Sequence, residues 1–407
     1  MNLLNGVPEL RKFYMYESLT RCLCCDNSQL FTILDLNTQP PANSFHNPNE
    51  NIPEYELKLM GCDNCWHTQL SVAVDPDELF KNYLYVSGTS STLKQYFDRF
   101  AVRYTDVPGK VLDIACNDGT QLDSFAELGW DTYGVDPAEN LFSSSTSKEH
   151  QVKCDFWNIN SAIDMPVFDL ITAQNVFAHT AKISEFLEAC KLVMNNNSKL
   201  VIQTSQALMF DRNEFDTIYH EHISFFSTLS MKTIAERQGL YLNNVYTTDI
   251  HGTSYVFELS KVSNEQPSVE KQLELEQHRY KRSFYDSYQK NAMTCLKSLK
   301  DYISVQRSSG KKVIGYGAAA KGMTVINAGN LSFDYIVDDN PLKQGLLCPG
   351  SNIPVYGPQQ LDTENSDIII IPLAWNFFDE IKSKVKQLRP NKADTYVRYF
   401  PELRFDF

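Results

Sequence analysis

Long apolar runs are missing from this chain. The longest stretches, such as Ile368 to Ala374, fall far short of the ~20 residues that a membrane-spanning helix needs. Positive charge is also in short supply: 37 Lys and Arg stand against 50 Asp and Glu, a formal charge of −13 over 407 residues. That balance argues against a broad basic footprint for nucleic acid, although a small positive pocket remains compatible with it. The opening segment MNLLNGVPELRK has no apolar signal-peptide region, which leads us to expect a cytoplasmic enzyme or binding protein. Low-complexity tracts and fixed-period repeats are absent as well. What is present, 43% apolar and 21% charged residues, is the composition of a folded chain long enough for two to three domains.

Cysteine is clustered. Half of the ten cysteines fall in the first 65 residues, as Cys22-Leu-Cys-Cys25 and Cys62-Asp-Asn-Cys65. Two C-x-x-C pairs form knuckles whose four thiolates can surround one tetrahedral zinc. Cys22, Cys25, Cys62 and Cys65 are therefore the expected ligands, and a full thiolate set makes the metal structural. Gly61 suits a tight turn before the second pair. Cys24 is a bystander or an alternative ligand, while His46 and His67 read as ordinary polar residues.

From Lys110 the pattern turns to strand, turn and helix: VLDIACNDG, TQLDSFAELG, then DTYGVDPAEN. Further strands are expected at 168–173, 199–204 and 255–259, which together indicate an open, mainly parallel sheet. The charged stretch 265–307 reads as one long helix or two shorter ones, and a second α/β pattern begins after Gly310. The first loop carries Asp113, Cys116, Asn117, Asp118 and Gly119, and Asp136 closes the next strand. An acid at that strand end can take ribose hydroxyls. The local negative charge suits a cationic sulfonium better than a pyrophosphate, and the second and third glycines of G-x-G-x-x-G are missing. S-adenosylmethionine is thus favoured over a dinucleotide, with Asn175 in NVFAH on another wall.

Near the other end, VIGYGAAAKG places Gly317 at a turn and Lys321 at a helix start, where backbone N–H groups and a compact cation suit phosphate. Lys343 is left outside the site, since a surface role fits it equally well. In Tyr219-His-Glu-His222, the histidines are two apart rather than four, which does not put them on one helical face for zinc.

The double knuckle, VLDIACNDGTQL, NVFAH, YHEHISFFS and GYGAAAKG together resemble the S-adenosylmethionine-dependent sugar C-methyltransferases, the tetronitrose-type enzymes that methylate carbon 3 of nucleotide-linked 4-keto-deoxy sugars. The resemblance spans nearly the whole chain; Ala115-Cys116 departs from the glycine common in such loops. It implies an α/β chain with a small N-terminal zinc module (1–75), a central class I methyltransferase Rossmann-like domain (76–262), a helical connector (263–309) and a C-terminal Rossmann-like nucleotide-sugar domain (310–407). It implies His222 as the base that forms an enolate, Tyr219 and Glu221 as positioning groups, and His179 as a further active-site histidine. Histidine has the unperturbed pKa nearest neutrality, as such a base requires. Tyr83 and Tyr85 would line the sugar cleft or pack at an interface, and Phe225 and Phe226 would pack. The alternatives are methylation of oxygen or nitrogen on another small molecule, and a non-catalytic nucleotide-sugar-binding protein.

Overall fold

The computed structural model describes residues 15–80, 87–89, 91–250, 252–400 and 402–407. Four sheets organise them. The central one has seven strands in the order Tyr241–Thr248, Ser254–Ser260, Lys199–Thr204, Leu170–Gln174, Lys110–Ile114, Asp131–Val135, Gln151–Lys153. The last five run parallel to one another, whereas Ser254–Ser260 is antiparallel to both of its neighbours. The buried run Val111 to Ile114 at the sheet centre is a short apolar strand covered on both faces. Here the order reverses between Lys110–Ile114 and Leu170–Gln174, so the strands' carboxyl ends open a crevice.

The C-terminal sheet repeats this logic in the order Val355–Tyr356, Tyr335–Val337, Val313–Tyr316, Ile369–Pro372, Thr395–Arg398, Arg404–Asp406. Only its final pairing is antiparallel. The connector resolves into helices Pro267–Glu276 and Arg282–Ser308. On the long helix, Tyr285, Tyr288, Ala292, Leu296, Leu299 and Ile303 are buried. Their spacing of three and four residues makes one apolar stripe, which packs in a single core with the N-terminal sheet and the C-terminal domain. Between Asp75 and Tyr104 the described residues form helices Pro76–Phe80 and Ser91–Tyr104, with a short turn of helix at Ser87–Thr89.

The N-terminal module is less separate than its sequence suggests. Its antiparallel sheet runs Leu30–Gln39, Tyr55–Cys62, Thr68–Leu70 and then Ser224–Phe225. The fourth strand belongs to the YHEHISFFS segment, some 150 residues downstream. A further ribbon pairs Tyr16–Ser18 with Val72–Val74. Gly61 corrects its expected role: it lies in the strand, not in a turn, and a Cβ there would stand 2.5 Å from the Phe31 ring. Close packing, not backbone freedom, explains that glycine. Phe225 and Phe226 are buried as expected.

Candidate active site

The four knuckle sulfurs converge. Sγ of Cys22 lies 3.5 Å from Sγ of Cys65, Cys25 lies 3.5 Å from Cys62, and all four fall within 4.8 Å of one another. Tetrahedral Zn–S bonds of about 2.3 Å require sulfurs roughly 3.8 Å apart, so the donor set fits zinc. Cys24 is fully buried in the adjoining core and outside this cluster. His46 and His67 are outside it too.

A cleft of about 1330 Å³ opens at the carboxyl ends of the central sheet and is walled by residues from the N-terminal module, the central domain and the C-terminal domain. Asp113, Cys116, Asn117, Asp136 and Asn175 line it. Asp136 accepts the N–H groups of Asn117 and Ala138, each at 2.8 Å, and so fixes the loop. Burial raises the Asp136 pKa above its ordinary value. Asp113 sits beneath, accepting from Thr172 Oγ1 at 2.8 Å and from Gln121 at 3.0 Å. Burial, with help from the nearby Asp136 charge, pushes it up to about 7. Ala115 and Asn117 adopt φ of 62° and 54°, a left-handed turn held by these bonds.

Asp118 and Gly119 are near the cleft but not on its walls. Asp118 accepts from Gly88 N–H at 3.0 Å and Thr120 Oγ1 at 2.7 Å, pinning the Ser87–Thr89 segment and the helix start. Gly119, at φ 79°, is the residue preceding that helix. The fit to S-adenosylmethionine lies at the strand ends: Gln174 Oε1, Asn175 Oδ1 and Gln203 Nε2 are buried there without hydrogen-bond partners. Two acceptor oxygens in a buried wall suit an ammonium group, because an unmet buried polar atom is costly.

The second half of the cleft carries the two histidines, with a tyrosine and a glutamate beside them. Tyr219, Glu221, His222 and His179 all line it. The YHEH segment is a turn, and its two histidines diverge: His220 packs against Tyr55, with ring centres 5.9 Å apart, away from the cleft walls. His222 Nδ1 is 2.7 Å from the Thr217 carbonyl oxygen, which can only accept, so Nδ1 carries the proton. Nε2 is then the basic nitrogen, 3.0 Å from the Tyr219 hydroxyl. The Gln206 amide nitrogen lies 2.9 Å from Nδ1 and 3.2 Å from Nε2; with Nδ1 protonated it can donate only to Nε2. His179 stands 5.1 Å from His222 ring to ring and stacks on Phe80; burial lowers its pKa to about 4. Glu221 accepts from Asn43 at 2.6 Å, and burial pushes it up to about 7.

Lys321 reaches the cleft with its Nζ 5.0 Å above the Trp375 ring. Gly317 does not wall it. The N–H groups of Gly317 and Ala318 are taken by the Val337 carbonyl at 2.8 Å and the Asp338 carboxylate at 2.5 Å. Lys343 is half-buried: it donates to the Ala318 carbonyl at 2.7 Å and lies over Phe45. Burial lowers its pKa. Tyr83 and Tyr85 lie outside the described residues. Sequence reasoning missed Gln203, Gln206, Glu214 and Asn376 on the walls; only the position of the two glutamines at and just past a strand end could have drawn attention to them.

Known proteins divide along the same lines. Residues 22–80 match the family described as "Putative zinc binding domain", 85–245 match "Methyltransferase domain", and 249–401 match "C-methyltransferase C-terminal domain". The C-methyltransferase NovU of Streptomyces niveus is 25% identical over 409 residues, covering 95% of this chain and 96% of NovU. The chain is a class I S-adenosylmethionine-dependent C-methyltransferase. Over shorter spans the C-methyltransferase is similar to ubiquinone biosynthesis O-methyltransferases. That of Nitrobacter winogradskyi is 30% identical over 113 residues, or 26% of this chain and 43% of the relative. The Mus musculus mitochondrial enzyme is 26% identical over 104 residues, or 23% and 28%. Among the described residues of the C-methyltransferase, no helix is long and apolar enough to cross a membrane.

Proposed function

We propose that this C-methyltransferase methylates carbon 3 of a nucleotide-linked 4-keto-deoxy sugar through an enolate, with His222 as the base. The observation that supports this reading is the His222 ring. Its Nδ1 is committed to the Thr217 carbonyl, and its basic Nε2 is in the same cleft as the methyl-donor loop. Nε2 accepts the carbon 3 proton, and the electron pair of the broken C–H bond passes into the enolate. S-adenosylmethionine supplies the electrophilic methyl group when bound. The Tyr219 hydroxyl, 3.0 Å from Nε2, orients the base or hydrogen-bonds the oxygen on which charge develops. A buried Glu221 beside Asn43 and a His179 kept neutral by burial offer polar contacts to the sugar. Lys321 supplies positive charge for the diphosphate.

The test is incubation with the methyl donor and a panel of nucleotide-linked 4-keto sugars, read by product mass and by solvent deuterium exchange at carbon 3. His222→Gln is expected to lower both exchange and methylation by roughly 10²–10⁴-fold, the usual worth of a positioned base. Exchange at the wild-type rate in that variant would remove His222 from the role. Methylation of oxygen or nitrogen without carbon exchange would replace the sugar-enolate reading altogether.

A further inference from the structure

The strand that follows His222 is held by the zinc module. Ser224 pairs with Gln69 and Phe225 with Thr68, while Leu70 N–H donates to the Ile223 carbonyl at 2.8 Å. On its other side Ile223 N–H donates to the Ala178 carbonyl at 2.9 Å, next to His179. The segment carrying the base is thus clamped between the knuckle sheet and the other active-site histidine.

Gln69 stands at the centre of this clamp. Its side chain is fully buried and grips the first knuckle from both sides of Cys22: Oε1 accepts from Leu23 N–H at 2.8 Å, and Nε2 donates to the Arg21 carbonyl at 3.0 Å. Its backbone pairs with Met60, two residues before Cys62 of the second knuckle, and with Ser224 across the ladder. A primary amide offers both a donor and an acceptor at one planar end. One residue therefore touches the first knuckle, the strand leading to the second, and the segment that begins two residues after His222.

We infer that Gln69 is a positioning residue that carries the geometry of the two zinc knuckles to the His222 segment. The inference deepens the proposed function, resting on His222 being the group that must be held. The metal then does more than close the N-terminal module: by fixing both knuckles it fixes the edge against which the active-site turn is laid.

The experiment is nitrogen NMR of the full chain labelled in its histidines, with the His222 signals assigned from His222→Gln. Zinc content and S-adenosylmethionine affinity are measured on the same samples. Gln69→Leu removes both side-chain bonds at similar volume; Gln69→Glu retains the acceptor and loses the donor. The expected result is displacement of the His222 nitrogen signals in Gln69→Leu and a smaller displacement in Gln69→Glu. Methyl-donor affinity should stay within about twofold, since the donor loop is elsewhere. Chelating zinc from the wild-type chain should move the same signals. His222 signals at wild-type positions in Gln69→Leu would overturn the inference. Loss of donor binding in both variants would overturn it as well, because Gln69 would then be a general core residue. If His222→Gln retains carbon exchange, the base assignment fails, yet the NMR coupling between Gln69 and His222 still stands or falls by its own result.

Discussion

Gly134 and Cys116 face each other across two adjacent strand ends. A Cβ on Gly134 would come within 2.6 Å of Cys116 Sγ, so the loop departure at Ala115-Cys116 is matched by a missing side chain next door. Gly134→Ala should destabilise the chain by about 1–3 kcal/mol, the usual range for overpacking. Adding Cys116→Ala should recover part of that loss in a thermal or denaturant melt; strict additivity of the two effects would show that they do not meet. Asp113 gives a second prediction. Its folded pKa is raised to about 7, so the native state holds a proton there that the unfolded chain releases near 4. Its effect is to lower stability progressively as pH rises from about 4 to 7. Asp113→Asn should flatten that part of a stability–pH curve, and an unchanged slope would count against the raised value. These residues also show what spacing can reveal. The acids at the strand ends were legible because strand, turn and helix follow one another in the chain. Gln203 and Lys343 were not, because their importance comes from burial beside segments far away in sequence.

The knuckles are the element whose chemistry was clearest beforehand, since two C-x-x-C pairs state a ligand set directly. Their attachment was not. Arg237 donates to the Cys25 carbonyl at 2.6 Å, and Arg282 pairs with Asp63, so helices from later in the chain hold each knuckle. Replacing Cys65 by Ser should remove the metal and lower the melting temperature sharply, because structural zinc contributes about 10–16 kcal/mol to small zinc modules. Metal analysis beside a melt tests this. Stoichiometric zinc in the variant would mean that Cys24, buried alongside, has entered the ligand set. The long helix Arg282–Ser308 was expected from its few breakers. Its partners, the knuckle sheet on one side and the C-terminal domain on the other, follow only from the three-dimensional packing of its apolar stripe.

At the scale of the whole molecule, one cleft gathers walls from the N-terminal module, the central sheet and the C-terminal domain. A ligand that binds only the folded state stabilises it by about 2.7 kcal/mol at a hundredfold excess over its Kd. S-adenosylmethionine should accordingly raise the melting temperature in a concentration-dependent way. Asn175→Ala should weaken that shift, and an undiminished shift would take Asn175 out of the donor site. The sequence by itself determined the four-cysteine cluster, the α/β class and the order of the motifs, because these depend on local spacing and on the alternation of strands and helices. Only the tertiary structure decided that Ser224–Phe225 joins the knuckle sheet, that Lys343 folds over Phe45 onto the Ala318 carbonyl, and that His220 turns away while His222 faces the cleft. Such facts depend on which backbone edges pair and which side chains lose water together, and no run of neighbouring residues records that.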